Sequence, residues 1–133
     1  MLQIQGRNIT SEFDLLRVKA QAIDFIKLIK FQSSDLEKLA DLTFELAKEL
    51  IFNQVDAYIC LNYYNFERKK GLEMYVYNKN MSLEEAQEAL NNNCDLSKKG
   101  IFLDKNSGFL DKFELKKESK SGIEINIFKL SKL

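Results

Sequence analysis

The apolar residues between Ser34 and Phe52 recur at steps of three and four, the spacing that lines one face of an α-helix. This stripe consists of Leu36, Leu39, Ala40, Thr43, Leu46, Ala47 and Leu50. Ser34 occupies the position of an N-cap, and Asp35 and Glu37 in the first turn suit the positive end of the helix dipole. The pattern therefore predicts one long amphipathic helix over residues 34–52.

Glu45 and Glu49 lie one turn apart on the opposite side of that helix. Two like charges at this spacing destabilise a helix by a few tenths of a kcal/mol. The two residues are therefore either part of a solvated face or a pair of carboxylates that faces a positive group. The pattern alone leaves both interpretations open.

The segment before this helix first shows the hydrophobic pattern of a strand and then that of a helix. Leu2 and Ile4 alternate with glutamines, which predicts a strand over residues 2–9 at the edge of a sheet. Thr10 or Ser11 then caps a helix that runs to about residue 29. The buried stripe of this helix is predicted to be Phe13, Leu16, Ala20, Ile23 and Ile26.

The middle of the chain reads as an antiparallel strand pair. β-branched and aromatic residues predict a strand over 55–64, with Val55, Ala57, Ile59 and Leu61 on one face. Residues 72–77 form the partner strand, and a polar loop over 65–70 joins the two. The pair is expected to be covered by helices on one side and partly exposed to solvent on the other.

The last part of the chain combines short helices with a second strand pair. Ser82 and Glu85 form a capping box for a helix over residues 83–90. Residues 101–110 are predicted to be helical. Strands over 113–119 and 123–130 are joined by a tight turn in which Gly122 supplies a positive φ.

This order of elements predicts an α+β fold, in which a mostly antiparallel sheet is covered on one face by helices. The architecture is a two-layer α/β sandwich. A chain of 133 residues is expected to form a single domain over residues 1–133.

Composition removes several function classes. Twenty Lys and Arg residues balance twenty Asp and Glu residues, which argues against a nucleic-acid partner. There is no histidine, so Ser-His-Asp, Cys-His and His-ligated zinc sites are excluded. Neither a membrane-spanning run nor a signal-peptide apolar region is evident, so no membrane partner is expected. Cys60 and Cys94 fit free thiols in a reducing cytoplasm.

Several short strings stand in the order and spacing of one fold family. They are Ser11-Glu12-Phe13-Asp14 before the first long helix, Phe44-Glu45-Leu46-Ala47-Lys48-Glu49-Leu50-Ile51 on the second, Phe109-Leu110-Asp111-Lys112-Phe113, and Gly122-Ile123-Glu124-Ile125. With the order of elements, these strings resemble the GHKL (histidine kinase-like) ATPase fold. Within it, the chain looks most like the small bacterial anti-sigma factor serine kinases and switch kinases of partner-switching systems. The resemblance covers nearly the whole chain.

The family carries a Glu–x–x–x–Asn pair on the second helix, which serves phosphoryl transfer. The Glu orients or deprotonates the attacking hydroxyl, and the Asn holds Mg²⁺ against the phosphates. The resemblance places Glu45 at the first position, as a vestigial or acting general base. Glu49 stands at the second position, where a carboxylate can ligate Mg²⁺ if the ion is bound. Its negative charge beside a triphosphate is unfavourable.

The family's adenine-binding motif is Asp-x-Gly-x-Gly after the second hairpin strand. The matching positions are Asn78, Asn80 and Ser82. Asn78 keeps an acceptor for the adenine amino group but lacks the charge of an aspartate. The side chains of Asn80 and Ser82 occupy space that glycines leave open, so the resemblance implies a damaged adenine pocket.

The family's phosphate-covering lid is rich in glycine. The matching stretch here is Lys98-Lys99-Gly100, followed by the bulky Ile101 and Phe102. Backbone amides cradle phosphates best where no side chain intrudes. The two lysines supply only flexible point charges, which are a weak phosphate signal.

All three nucleotide elements depart from the family pattern together, which is better explained by lost ATP binding than by independent drift. The expected function is therefore that of a degenerate anti-sigma-factor-kinase-like regulator. It binds proteins in a bacterial partner-switching pathway, without ATP turnover and without a cofactor. A STAS-like anti-anti-sigma domain is the partner that the resemblance implies.

Two other functions compete with this one. The chain could be an active serine protein kinase that uses Mg-ATP in a divergent pocket, with Glu45 as the base and Glu49 on the metal. It could instead be a self-assembling structural domain, because aromatic residues crowd the predicted hairpin and could form a homodimer surface. These residues are Tyr58, Tyr63, Tyr64, Phe66, Tyr75 and Tyr77.

Overall fold

A computed structural model describes residues 1–92, 96, 101, 109–118 and 121–131 of the chain. The elements in chain order are β1 (Leu2–Gln5), a 3₁₀ turn (Gly6–Asn8), α1 (Glu12–Lys27), α2 (Ser33–Leu46), a π-helical turn (Ala47–Ile51), β2 (Ala57–Phe66), β3 (Lys69–Asn78), α3 (Leu83–Asn92), β4 (Lys112–Lys117) and β5 (Ile123–Leu130).

The strands form one five-stranded sheet in the order β1-β2-β3-β5-β4. Every neighbouring pair is antiparallel. The apolar side chains on one face of the sheet join the buried residues of the helices in a single core. The predicted α+β class with an antiparallel sheet is therefore confirmed, and the arrangement is compatible with a two-layer α/β sandwich. The edge position predicted for the first strand is also confirmed.

α2 and the π-helical turn that continues it form the centre of the core. Leu39, Leu42, Leu46 and Leu50 have no exposed surface, and burying a leucine side chain contributes about 1.5–3 kcal/mol. The predicted long helix is confirmed, but its N-cap is wrong. Ser33 is already helical, the N-cap is Gln32, and the Gln32 side chain makes no capping hydrogen bond.

The stripe predicted to be buried on α1 is wrong for all but its last member. Ser11 does cap the helix, since its Oγ accepts a hydrogen bond from the Asp14 amide at 3.2 Å. The residues that face the core are Leu15, Val18, Ala22 and Ile26. Phe13 is 79% exposed and Leu16 is 57% exposed. The helix carries two apolar stripes of similar period, and packing against the sheet and α2 decides which one is buried.

The first strand ends at Gln5, before the predicted end at residue 9, because the chain turns sharply there. A side chain at Gly6 would meet the carbonyl oxygens of Ile51 and Gln54 at 2.7 and 2.8 Å. Only glycine allows this close approach between the 3₁₀ turn and the end of the π-helical turn. β2 begins at Ala57, two residues after the predicted start. Val55 lies outside the strand and is 61% exposed.

The β2–β3 hairpin is tighter than the predicted loop over 65–70. Phe66 pairs with Lys69, so only Glu67 and Arg68 form the turn. Both have positive φ, at 50° and 67°. A two-residue hairpin turn of this kind normally uses Asn-Gly, because L side chains are disfavoured in the left-handed region.

The second hairpin contains the predicted glycine, but β4 ends at Lys117, before the predicted end at residue 119. Gly122 has a φ of 94°, and a Cβ there would lie 2.6 Å from the Asn78 carbonyl oxygen. The helix predicted over 101–110 lies mostly outside the described residues. Ile101, Phe109 and Leu110 are buried and are not helical. In the described part of the chain, no helix has the length and apolar character needed to span a membrane.

Replacing Arg68 by glycine is expected to raise the free energy of unfolding by about 1 kcal/mol. A non-glycine residue in the left-handed region costs roughly 1–2 kcal/mol, and the greater freedom of glycine in the unfolded chain offsets part of that gain. Urea denaturation followed by circular dichroism measures the change. The matched control is Lys69→Gly, one residue later in the strand, which should lower stability. Unchanged or lower stability of Arg68→Gly contradicts the strained turn.

Candidate functional site

Glu45 is buried in the part of α2 that precedes the π-helical turn. Only 4% of the residue is exposed. Its Oε2 atom has no hydrogen-bond partner among the residues that the structure describes. The solvated-face interpretation is therefore wrong for Glu45. A buried carboxylate oxygen without a partner loses its hydration without replacement, which is unfavourable for the fold.

Glu49 differs from Glu45 in its surroundings. It is half-buried and has an interaction partner of its own. The helix changes from α to π between the two residues, at Ala47. The wider π turn alters the relative direction of the two carboxylates from that of a regular one-turn pair. Such π turns in helices occur frequently at functional sites.

Asn78 fastens the end of β3 to the end of the helix. It has no exposed surface. Its Nδ2 donates a hydrogen bond to the Leu50 carbonyl oxygen at 2.6 Å, and its Oδ1 accepts one from the Asn80 amide at 2.9 Å. The carbonyls of a helix C-terminus lack partners within the helix. Asn78 supplies one of these missing partners, so both of its side-chain polar atoms are engaged inside the protein.

Asn80 and Ser82 also make local hydrogen bonds. Asn80 Nδ2 donates to the Val55 carbonyl oxygen at 2.7 Å. Ser82 Oγ accepts from the Glu85 amide at 3.1 Å, and the Ser82 amide donates to Glu85 Oε1 at 3.4 Å. The predicted capping box of α3 is confirmed.

An open cavity of about 390 Å³ lies beside the loop that follows β3. Its volume is within the usual range of ligand pockets. Lys79, Asn80, Ser82, Lys117 and Gly122 are among its lining residues, but Glu45, Glu49 and Asn78 are not. The structure therefore places Asn80 and Ser82 at an open cavity, and Glu45 and Asn78 inside the protein.

The predicted lid residues Lys98, Lys99 and Gly100 lie outside the described residues, as does Phe102. The described neighbours Leu96 and Ile101 are only 2% and 1% exposed, and both belong to the core. Within the described ranges, no three His, Cys, Asp or Glu side chains are grouped so that they could hold a metal ion.

The face of the sheet that the helices leave uncovered carries aromatic side chains in two groups, named here together the tyrosine face: Tyr58, Tyr75 and Tyr77 form one group, and Tyr64 and Phe128 form the other. The Tyr58 ring lies 5.9 Å from that of Tyr75 and 5.3 Å from that of Tyr77, between centroids. The Tyr64 and Phe128 rings meet edge to face at 4.7 Å. The sequence indicated aromatic crowding on the hairpin, but only the pairing of β3 with β5 brings in Phe128.

Glu124 anchors the tyrosine face to β5. Burial raises the pKa of Tyr75, and the hydrogen bond that its hydroxyl donates to the Glu124 carboxylate raises it further. The same hydrogen bond lowers the pKa of Glu124. Burial likewise raises the pKa of Tyr58. Lys116 Nζ lies 3.6 Å from Glu124 Oε2. The hydroxyl groups are thus neutral donors and the carboxylate is charged near pH 7.

The tyrosine face ends in a second cavity of about 340 Å³. Tyr58 and Tyr77 form its aromatic wall, and Arg7, Asp56 and Lys79 form a charged rim. Tyrosine and arginine are enriched at protein–protein interfaces, with charged residues at the rim. This combination was not predicted as a site, because the rim residues come from three separate loops.

No protein family model matches this chain, and no curated protein is significantly similar to it. The functional proposal therefore rests on the geometry around Asn78 and on the tyrosine face.

Replacing Glu45 by methionine is expected to raise the free energy of unfolding by about 1–2 kcal/mol. Methionine has a similar volume and removes a buried acceptor that lacks a partner, a defect that costs roughly 1–3 kcal/mol. Thermal and urea unfolding measure the change. The matched control, Glu37→Met, replaces an exposed glutamate of the same helix and should stay within about 0.5 kcal/mol. A clear loss of stability in Glu45→Met would show that the carboxylate is needed for folding.

Replacing Tyr75 by phenylalanine is expected to cost about 1 kcal/mol at pH 7, since it removes a hydrogen bond to a charged group that is partly exposed. The pKa of Glu124 is lower in the folded chain than its ordinary value of 4.5. The charged carboxylate therefore stabilises the fold at pH values above 4.5, and this contribution is lost as the pH falls through the folded-state pKa. The difference between variant and wild type should therefore shrink at about pH 3. Urea unfolding at both pH values measures it. Tyr63→Phe is the control, and a difference independent of pH contradicts the assignment.

Proposed function

We propose that this chain is a regulatory domain that binds proteins in a bacterial partner-switching pathway, and that it resembles an anti-sigma factor serine kinase without turning over ATP. The fold proposed with it is the GHKL type of α/β sandwich. The proposed partner is a STAS-like anti-anti-sigma domain, and the proposed location is the cytoplasm. The observation that carries this proposal is the internal position of Asn78.

The position of Asn78 supports the absence of nucleotide binding. In the kinases that this chain resembles, the residue at this position accepts a hydrogen bond from the adenine amino group. That contact requires a side-chain oxygen that faces the pocket. Here the Asn78 oxygen accepts from the Asn80 amide, and its amide donates to Leu50. Asn78 also has no exposed surface, so an adenine could contact its side-chain oxygen only if the residues that cover it moved.

The tyrosine face supports the protein-binding part of the proposal. Its rings are half-buried and already held by neighbouring rings and by Glu124. Rigid aromatic groups that lose little entropy on binding are typical anchors of protein interfaces. A partner that docks on Tyr58 and Tyr77 meets aromatic rings beside a rim of mixed charge, formed by Arg7, Asp56 and Lys79.

A second candidate function is an active serine protein kinase that uses Mg-ATP. The observation that favours it is the partnerless Oε2 of Glu45, because a general base awaiting a substrate hydroxyl has such an unused acceptor. In this candidate Glu45 is the base, Glu49 contacts the metal, and Lys98, Lys99 and Gly100 cover the phosphates. The first candidate is preferred because it requires no rearrangement of Asn78.

Calorimetric titration of the purified chain with STAS-like domains encoded in the same genome tests the proposal, with and without Mg-ATP. We expect binding that is independent of nucleotide, that Tyr77→Ser weakens at least about tenfold, and that the exposed-residue control Val55→Ser leaves unchanged. Mg-ATP alone should not shift the melting temperature, whereas a ligand at 100 times its dissociation constant would add about 2.7 kcal/mol.

The opposite pattern supports the kinase. Phosphoryl transfer from ATP to the partner that Glu45→Gln abolishes, together with a melting shift in Mg-ATP, contradicts the first candidate. Nucleotide-independent binding that Tyr77→Ser does not affect would remove the tyrosine face from the proposal.

A further inference from the structure

The cavity at the end of the tyrosine face combines aromatic rings with charges of both signs. Its volume is about 340 Å³, at the lower end of the range for small-molecule pockets. Tyr58 and Tyr77 form one wall, and their ring centroids lie 5.3 Å apart. Both residues are half-buried, so their rings keep exposed surface. Arg7, Asp56 and Lys79 form the rim, which therefore carries two positive charges and one negative charge.

We propose that this cavity binds a free aromatic α-amino acid. The ring of the ligand packs on Tyr58 and Tyr77. Its carboxylate pairs with Arg7 and Lys79, and its ammonium group pairs with Asp56. Binding of this ligand does not depend on the proposed function. Only the competition that it implies, with a protein partner on the same two rings, rests on the proposed function.

The three rim charges are not used inside the protein. Arg7, Asp56 and Lys79 are all exposed. Among the residues that the structure describes, none of the three takes part in an ion pair or a side-chain hydrogen bond. Charges of opposite sign that border one cavity without pairing with each other remain available to a ligand that carries both signs.

Backbone hydrogen bonds hold the loops of the rim together. The Asn53 amide donates to the Ile9 carbonyl oxygen at 3.0 Å, which joins the loop before β2 to the segment after β1. The Lys79 amide donates to the Asp56 carbonyl oxygen at 3.2 Å, which joins that loop to the segment after β3. Asp56 has a φ of 56°, a left-handed conformation of the kind found at ligand sites. A rim that is fixed before binding loses little entropy when the ligand binds.

The mixture of rim charges favours a zwitterion over other small ligands. A nucleotide would bring its phosphate close to Asp56, which is repulsive. A neutral ligand would cover the three charges without pairing them, which is unfavourable. An α-amino acid carries a carboxylate and an ammonium group on one carbon atom, so every rim charge gains a partner of opposite sign.

The two rings and the size of the cavity narrow the ligand further. Aromatic rings pack favourably on one another, so Tyr58 and Tyr77 favour an aromatic side chain. The terminal residue of a peptide keeps only one of the two charges of a free amino acid. The free amino acid is therefore the ligand that uses the whole rim.

Nuclear magnetic resonance titration of the full chain, labelled with ¹⁵N, tests the proposal with L-phenylalanine as the probe. The amide signals of Arg7, Asp56 and Lys79 should shift, with a dissociation constant below roughly 1 mM. N-acetyl-L-phenylalanine lacks the ammonium group and L-phenylalaninamide lacks the carboxylate, so each should bind at least about tenfold more weakly. L-alanine lacks the ring and should also bind at least about tenfold more weakly.

The variant Asp56→Asn tests the pairing of the ammonium group. Asparagine tolerates the left-handed conformation, so the variant should fold, which its amide spectrum verifies. Its affinity for L-phenylalanine should fall at least about tenfold. It should also lose the preference for the free amino acid, so that L-phenylalanine and the N-acetyl compound bind within about twofold of each other. The matched control Glu37→Gln, at an exposed glutamate of α2, should bind both compounds like wild type.

Four outcomes overturn the proposal. Unchanged rim signals at roughly 10 mM L-phenylalanine, ten times the expected upper limit of the dissociation constant, exclude the site. Equal binding of L-phenylalanine and its N-acetyl derivative to wild type assigns the cavity to carboxylates such as a peptide C-terminus. Tighter binding of adenosine monophosphate than of L-phenylalanine assigns it to nucleotides. A preference for the free amino acid that survives in Asp56→Asn excludes the pairing with Asp56.

Discussion

The hydrogen bond between Asn78 and Leu50 joins the two layers of the fold at the point where the candidate site lies. α2 supplies the centre of the core, and its last turn ends against the sheet. The side chain of Asn78 satisfies the Leu50 carbonyl oxygen there. Because the same side chain also holds the Asn80 amide, one residue fixes the helix end, the strand end and the loop that follows.

That constraint determines what the site can do. A side chain whose two polar atoms are used internally is a structural link, so the loop after β3 is held in place while the outer cavity stays open beside it. Glu45 is the opposite case, since its burial without a partner for Oε2 destabilises the fold. Glu45 lies next to the π-helical turn, and the stability of the fold does not explain why a carboxylate occupies this buried position of the helix. The active-kinase alternative rests on this residue.

Much of the fold could be predicted from the sequence, because the responsible signals are local. The long helix, the capping box of Ser82 and Glu85, and the glycine turn at Gly122 each follow from the spacing of a few residues. The buried face of α1 could not, because two stripes of the same period compete and only the packing of whole elements selects one. The β2–β3 turn was also missed, since Glu67 and Arg68 lack the Asn-Gly signature of a two-residue hairpin.

The candidate site was less predictable than the fold. Sequence spacing indicated that Glu45 and Glu49 share one side of a helix, but it contains no sign of the π turn that separates their directions. The tyrosine face depends on register between β3 and β5, which is a long-range property.

The side-chain amide of Asn78 offers the most direct measurement of the central claim. Nuclear magnetic resonance can detect a through-hydrogen-bond coupling between Asn78 Nδ2 and the Leu50 carbonyl carbon, together with slow exchange of the amide protons. The internal link predicts that both signals are present and unchanged by Mg-ATP. Absence of the coupling, or its loss when Mg-ATP is added, would contradict the account.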